Sequence, residues 1–420
     1  MTRWRGWLLT LVTLLSAAPQ CFDYARHIVR SDFSGSTYGP RVDATLQAST
    51  ATLQGGPFAT VPAKGGFSVA AGLINDLGVA SIISGWTRIT GAQATTTTLG
   101  WINFWVLLTA GVLLVFAFPL KLRAFLIPVF LFVPMVVPTY DSVDSVAIHG
   151  AMAAFAVAAA LLTLRAPRLW PLPALGVLTF LVHKIRMVYS LYEAMVVVVG
   201  VLAAWRLFRT SRPMRAAGLV LLGFVACEIP WRIAVEARLR DVRLMEKDAL
   251  PSHNTYETLI SGIGWTPNPW GLKPEDPWVA QFLADTFRSP VVHIASVEGE
   301  RRARAFYLRL VREQPGALAR LYVGRIPMAL SEYSLLGTPG AVAWVTLGAL
   351  ALALSLRRRD LEGFVTVLAP VGLAATLILQ IIVIDSRYVY SYPLGVVSAL
   401  VLAAAIPVIF RNLKKESPKP

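Results

Sequence analysis

GAVAWVTLGALALALSLRRRDLEGFVTVLAPVGLAATLILQIIVI, residues 340–384, sets two apolar runs on either side of a basic connection, Arg357-Arg358-Arg359. Each run has about the length that crosses a hydrocarbon core of roughly 30 Å. Backbone amides in lipid must find partners within their own segment, so runs of this kind read as helices. A short Arg-rich connection between two such helices belongs on the cytoplasmic side of the membrane.

The same unit repeats along the chain. Spans fall at about 6–22, 99–117, 124–138, 145–164, 169–183, 187–206, 216–235, 340–356, 363–384 and 389–410. With the N-terminus inside, the inner segments carry Arg3 and Arg5, Lys121 and Arg123, Arg165 and Arg168, Arg206 through Arg215, Arg357 to Arg359, and Arg411 through Lys419. The acids in those segments are Asp360, Glu362 and Glu416. This alternation predicts an all-α polytopic membrane protein of about ten transmembrane helices, N-in and C-in, forming one domain over 1–420 in a bacterial inner membrane. The first run resembles a signal peptide, but Pro19 behind Ala17-Ala18 argues for an uncleaved helix. Two connections, 23–98 and 237–339, are long and are predicted to be periplasmic. Within the first, Gly66 to Trp86 reads as a helix lying in the membrane interface.

Composition agrees with this reading. The chain is 55% hydrophobic and 15% charged, where a soluble domain has nearer a quarter charged residues. A net charge of +15 would point to nucleic acid in a soluble protein. Here the inner loops account for it, so no nucleic-acid partner is expected. The two cysteines, Cys21 and Cys227, make neither a disulfide framework nor a metal cluster. Both lie near predicted outer helix ends, where a single bridge is open to them. There is no Walker loop, GxSxG, HExxH, CxxC or dinucleotide fingerprint, which disfavours an ATP-driven pump and a zinc protease.

Carboxylates, basic groups and aromatics at the outer surface remain. Asp43, in Tyr38-Gly-Pro-Arg-Val-Asp43 ahead of Leu53-Gln-Gly-Gly56, is placed to act as a general base on an acceptor hydroxyl, or else is a solvated acid paired with Arg41. Asp141 and Asp144 enter a helix from a very short outer loop. Acids there are costly unless used or paired. They can bind a divalent cation or position a substrate hydroxyl, or Asp141 can simply cap the helix. His253 and Glu257 are four apart and share a face if helical; they precede Gly262-Ile-Gly264-Trp265 and Pro267-Asn268-Pro-Trp270, whose aromatics can stack on a sugar or sit among headgroups. Arg387, beside Asp385 and Tyr388 at the outer start of the last helix, is placed to hold a lipid phosphate. Lys184 and Arg186, in another short outer loop, can serve the same phosphate.

The layout resembles the GT-C superfamily of multi-spanning glycosyltransferases, in particular the bacterial relatives of dolichyl-phosphate-mannose protein mannosyltransferases. The matching stretches are Asp43 ahead of Ala48 and Leu53-Gln-Gly-Gly56, Pro230-Trp231-Arg232, the block from His253 through Asp276 with Arg312-Glu313-Gln-Pro315, and Arg387-Tyr388. Gln47 stands where a Tyr is common, and the usual Asn partner after Trp231-Arg232 is missing. The resemblance implies an inverting transfer of a sugar from a polyprenyl-phosphate donor to a hydroxyl on a glycan, lipid or protein acceptor. Asp43 would be the base; Arg387, with Lys184 or Arg186, would stabilise the departing phosphate. Two other readings compete: a transporter or flippase of a lipid-linked substrate, which charges buried at mid-membrane depth would favour, and an accessory subunit on a decayed scaffold. The middles of the spans are almost free of charge apart from Glu193, placed near a helix end.

Overall fold

A computed structural model describes residues 3–30, 39–58, 60–68, 77–135, 148–245, 255–292, 296–383 and 388–414. In chain order its helices are α1 (Arg3–Ser16), α2 (Ala18–Arg30), α3 (Gly39–Leu53), α4 (Leu77–Thr90), α5 (Thr96–Ala117), α6 (Ile127–Phe132), α7 (His149–Arg165), α8 (Leu172–Ile185), α9 (Met187–Phe208), α10 (Arg212–Leu239), α11 (Thr255–Gly264), α12 (Asp276–Phe287), α13 (Val297–Glu313), α14 (Pro315–Tyr333), α15 (Gly337–Arg357), α16 (Leu361–Val383) and α17 (Tyr388–Lys414). The described residues contain one small antiparallel hairpin, β1 (Val61–Ala63) and β2 (Gly66–Ser68). The protein is therefore all-α. Seven segments are long and apolar enough to cross a membrane: Trp4–Ile28, Thr96–Ala117, Met187–Phe208, Arg212–Leu239, Gly337–Arg357, Leu361–Val383 and Pro393–Lys414.

Two further apolar helices, α7 and α8, are shorter. The reason α7 can be short is its position. From His149 to Leu164 nearly every side chain is buried, seven of them alanines, because α5, α9, α16 and α17 surround it. Small residues let those helices approach closely.

The span expected at 124–138 is not a regular helix. Residues Leu120–Leu126 form a 3-10 helix and α6 adds only six residues before Val133 turns extended. Pro134 follows, lacking an N–H and disfavouring helix in the residue before it. Irregular backbone at membrane depth needs protein partners. Gln20 of α2 supplies them: its amide nitrogen donates to the Phe130 and Val133 carbonyls, the latter at 3.1 Å, and its oxygen accepts from Met135 N at 3.0 Å.

One pole gathers the basic connections. Arg165 pairs with Glu362 at 3.2 Å and donates to Ala117 O. Arg411 pairs with Asp360 and with Glu362 at 3.6 Å. Arg123 reaches Thr10 on α1, and Arg212 donates to Pro167 O. The N-terminal end of α1 and the C-terminal end of α17 thus share a pole, and both of its described acids are neutralised.

The long connections are structured at the other pole. In the first, Gly66–Ser68 is a strand, and of the stretch Gly66–Trp86 expected to be helical only the part from Leu77 is so, within α4; 69–76 lie outside the described residues. Phe67 also bonds with Arg243 and Met245 beyond α10, which joins the hairpin to the second connection. That connection forms a small helical layer around Ile260, Ile263, Leu283, Phe306 and Leu310. It is fastened to the bundle by Arg325, only 3% exposed. The Arg325 guanidinium donates to Ile382 O at the end of α16 (2.9 Å), to Ile263 O at the end of α11 (3.1 Å), and to Thr266 Oγ1. Those carbonyls belong to the last turns of helices, which lack partners of their own. Cys21 and Cys227 are free thiols, so the bridge considered above is not formed.

Candidate functional site

A cavity lies among α8, α9 and α10. α8 and α10 cross at backbone contact. A Cβ on Gly176 would lie 2.0 Å from Val220 O, and one on Gly223 would lie 2.0 Å from Pro173 O. No side chain fits there, so the two helices are locked together. α9 stands off from α10, leaving a groove of about 390 Å³. Its lips, Leu191, Val198 and Leu221, are apolar and exposed. Leu191 and Val198 lie on α9 and Leu221 on α10, both long and apolar enough to cross a membrane.

The groove floor is not purely apolar. Two polar rungs link α8 to α9 along it. His183 Nδ1 lies 2.6 Å from Ser190 Oγ. One turn deeper, the Thr179 hydroxyl lies 3.3 and 3.2 Å from the two oxygens of Glu193. Glu193 is 3% exposed. It is therefore a buried carboxyl lining the cavity, in the second turn of α9 and so near a helix end as expected.

The outer mouth carries an ion cluster. Lys184 Nζ is 2.6 Å from Glu228 Oε2, and Arg232 Nε is 2.9 Å from Glu228 Oε1. The Lys184 ammonium also lies 5.2 and 5.1 Å from the ring centroids of Phe180 and Trp231, within cation–π range. Trp231 in turn meets Phe58 edge-on at 5.1 Å, so the first long connection forms part of the mouth. α4 closes in from the side: a Cβ on Gly78 would lie 2.1 Å from Lys184 Cβ. Lys184 and Glu228 are mostly buried, while Arg232 is 75% exposed.

The other residues singled out by sequence are dispersed. Arg186 is the single residue between α8 and α9, with extended backbone and a buried side chain; it is not an open clamp. Asp43 is exposed in the first turns of α3, whose far half packs on α4 through Ser49 Oγ to Ala80 O (3.0 Å). Among the described residues, no contact joins Asp43 to the Lys184–Glu228–Arg232 cluster. Glu257 is buried in α11 and accepts from Ser261 Oγ at 3.3 Å, so it is an interior group of the outer layer and not a surface ligand. The aromatic stretch after it is ordered by Asn268, whose side chain bonds to the backbone of Thr266, Trp270 and Leu272. Asp141, Asp144, His253, Asp385 and Arg387 lie outside the described residues; Tyr388 opens α17. Among the described residues no three His, Cys, Asp or Glu side chains converge as a metal site.

Glu228 and Glu193 were not recognised as site residues in the sequence. The signal for Glu228 was available: it sits four residues before Arg232 in an otherwise apolar span, and such charges rarely occur without a partner. No family model, curated protein or solved structure matches this chain.

Proposed function

We propose that this protein is a multi-pass membrane glycosyltransferase, GT-C-like in plan, that takes a sugar from a polyprenyl-phosphate donor at the outer face of the bacterial inner membrane. In this reading the chain crosses about ten times, with the basic pole cytoplasmic and the α11–α14 layer periplasmic. The observation that carries it is the groove: apolar lips over a floor with a few polar groups, ending at Glu228 and Arg232, with Lys184 paired to Glu228 just behind them. A polyprenyl phosphate has the complementary layout, a long hydrocarbon tail and one anionic head. Its tail would lie against Leu191, Val198 and Leu221, and its phosphate would meet the two cations as charge-assisted hydrogen-bond donors. Arg387 would add a third.

The reaction would be a single displacement. Asp43 takes the proton from the acceptor hydroxyl, the oxygen attacks the anomeric carbon, and the bond from that carbon to the phosphate oxygen breaks. The polyprenyl phosphate leaves with the electron pair, its charge held by the basic residues. Asp43 is exposed on α3, which packs on α4, and α4 packs on α8; in this reading that face is open to the acceptor. The test is transfer in proteoliposomes from radiolabelled polyprenyl-phosphate sugars to an envelope extract. Label should move with the wild type and fail to move with Asp43→Asn. Equal transfer by Asp43→Asn and Arg232→Ala would remove the reading.

A flippase for the same class of lipid is the second reading, favoured by Glu193. A carboxyl buried in a bilayer-facing groove is costly unless it serves binding or transport. If no donor supports transfer while a labelled polyprenyl phosphate crosses the bilayer, and Glu193→Gln stops it, the flippase reading replaces the enzyme.

A further inference from the structure

We propose that Glu228 is a built-in occupant of the headgroup site, a carboxylate that holds Lys184 and Arg232 while the site is empty and is displaced by the phosphate of an incoming anionic lipid. This rests on reading the mouth as the phosphate site.

The geometry supports an exchange of one anion for another. Each oxygen of Glu228 serves one cation, Oε2 for Lys184 and Oε1 for Arg232. Two non-bridging oxygens of a phosphate monoester can make the same two contacts. Lys184 cannot move away to meet a ligand. Its ammonium sits against the Phe180 and Trp231 rings, and its backbone is held against Gly78. A buried ammonium of this kind needs an anion at all times. Glu228 provides one when the lipid is absent. Arg232, largely exposed, is the partner free to follow a phosphate outward. Glu228 also lines the groove, on the same wall as Phe224 and facing His183, so its side chain has a space to turn into.

The consequence is selectivity with a cost in affinity. A neutral lipid cannot replace the carboxylate and gains nothing at the mouth. A lipid phosphate replaces it, but competes with it first. A site filled nine-tenths of the time by its own carboxylate binds its ligand about tenfold more weakly than a vacant one. A merely structural ion cluster predicts the reverse sign, because removing Glu228 would strand Lys184 and distort the mouth.

The experiment is binding of farnesyl phosphate and of farnesol to the full chain in nanodiscs, by calorimetry. Wild type should bind farnesyl phosphate more tightly than farnesol. Glu228→Gln should tighten farnesyl phosphate by about tenfold and leave farnesol unchanged. If the Gln variant does not fold, Glu228→Asp decides: its shorter side chain cannot reach both cations, and a smaller tightening is expected. Unchanged or weaker farnesyl phosphate binding in the variant, with wild type still preferring the phosphate, overturns the exchange and leaves the lipid-phosphate site standing. No preference for the phosphate in wild type overturns both.

Discussion

Replacing Arg325 by methionine should detach the outer helical layer from the bundle while leaving the bundle folded. Methionine keeps much of the aliphatic length and adapts to irregular spaces, so the loss is mainly one of hydrogen bonds. Two carbonyls, Ile263 O and Ile382 O, and the Thr266 hydroxyl lose the Arg325 donor in a site that is 3% exposed. Each buried group left without a partner costs about 1–3 kcal/mol. Ile263 O keeps a weak bond from Asn268 Nδ2 at 3.4 Å, so with Ile382 O alone stranded the attachment weakens by about 1–3 kcal/mol. Since about 1.4 kcal/mol is a factor of ten, a loss at the top of that range makes local opening more frequent by about a hundredfold. Amide hydrogen exchange in nanodiscs reads this directly, because protection reports local opening. The amides of α11 should exchange faster, by up to about a hundredfold, while those of α5 and α7 should not change. Arg320→Met, on the same helix but exposed, is the control and should match wild type. Unaltered protection of α11 in Arg325→Met and Arg325→Ala would refute the assignment of Arg325 as the fastener.

Three further outcomes are expected. Gln20→Leu strands the carbonyls of Phe130 and Val133 and the N–H of Met135, and should lower resistance to denaturant by about 2–5 kcal/mol. Gly223→Val forces a side chain into the Pro173 carbonyl and should part α8 from α10; amide exchange in both helices should speed up relative to wild type, while α5 and α16 stay protected. Glu298 is held down at about 2 by hydrogen bonds from Arg301 and Arg302. Its folded value lies below the ordinary 4.5, so its contribution is full above that pH and is lost as pH falls toward 2. Glu298→Gln should therefore speed exchange in α13 at neutral pH, and the difference from wild type should fade across that window.

The parts of the fold that the sequence made legible follow from simple patterns. Uninterrupted apolar runs such as 363–384 can only be satisfied as helices in lipid, and α16 coincides with that run within a residue or two. The inner Arg clusters were readable from spacing, and they do gather at one pole. What escaped was set by tertiary partners. Prolines 128 and 134 break the span at 124–138, yet the chain still packs there because Gln20, more than a hundred residues earlier, replaces the missing bonds. Single-sequence reading has no means of pairing those positions. The hairpin at 61–68 is too short to show a period. The site divided in the same way. Lys184 was visible as a basic residue at an outer helix end and Arg232 only as part of the stretch Pro230-Trp231-Arg232, while the acid that joins them lies 44 positions after Lys184. Glu193 was legible as an acid near a helix end but not as a buried one, because its burial depends on α8 and α10 packing around α9. Asp43 was read from a motif, and the structure leaves it exposed on α3 with no described contact to the ion cluster.

The dependence on Gln20 also bears on how the protein is made. A segment of 3-10 turns, six helical residues and an extended strand end cannot partition into lipid unaided, because several of its backbone groups have no internal partner. It becomes soluble in the bilayer only when α2 lies alongside it. α2 and residues 120–135 therefore form one folding unit, because the bonds that complete the second come from the first.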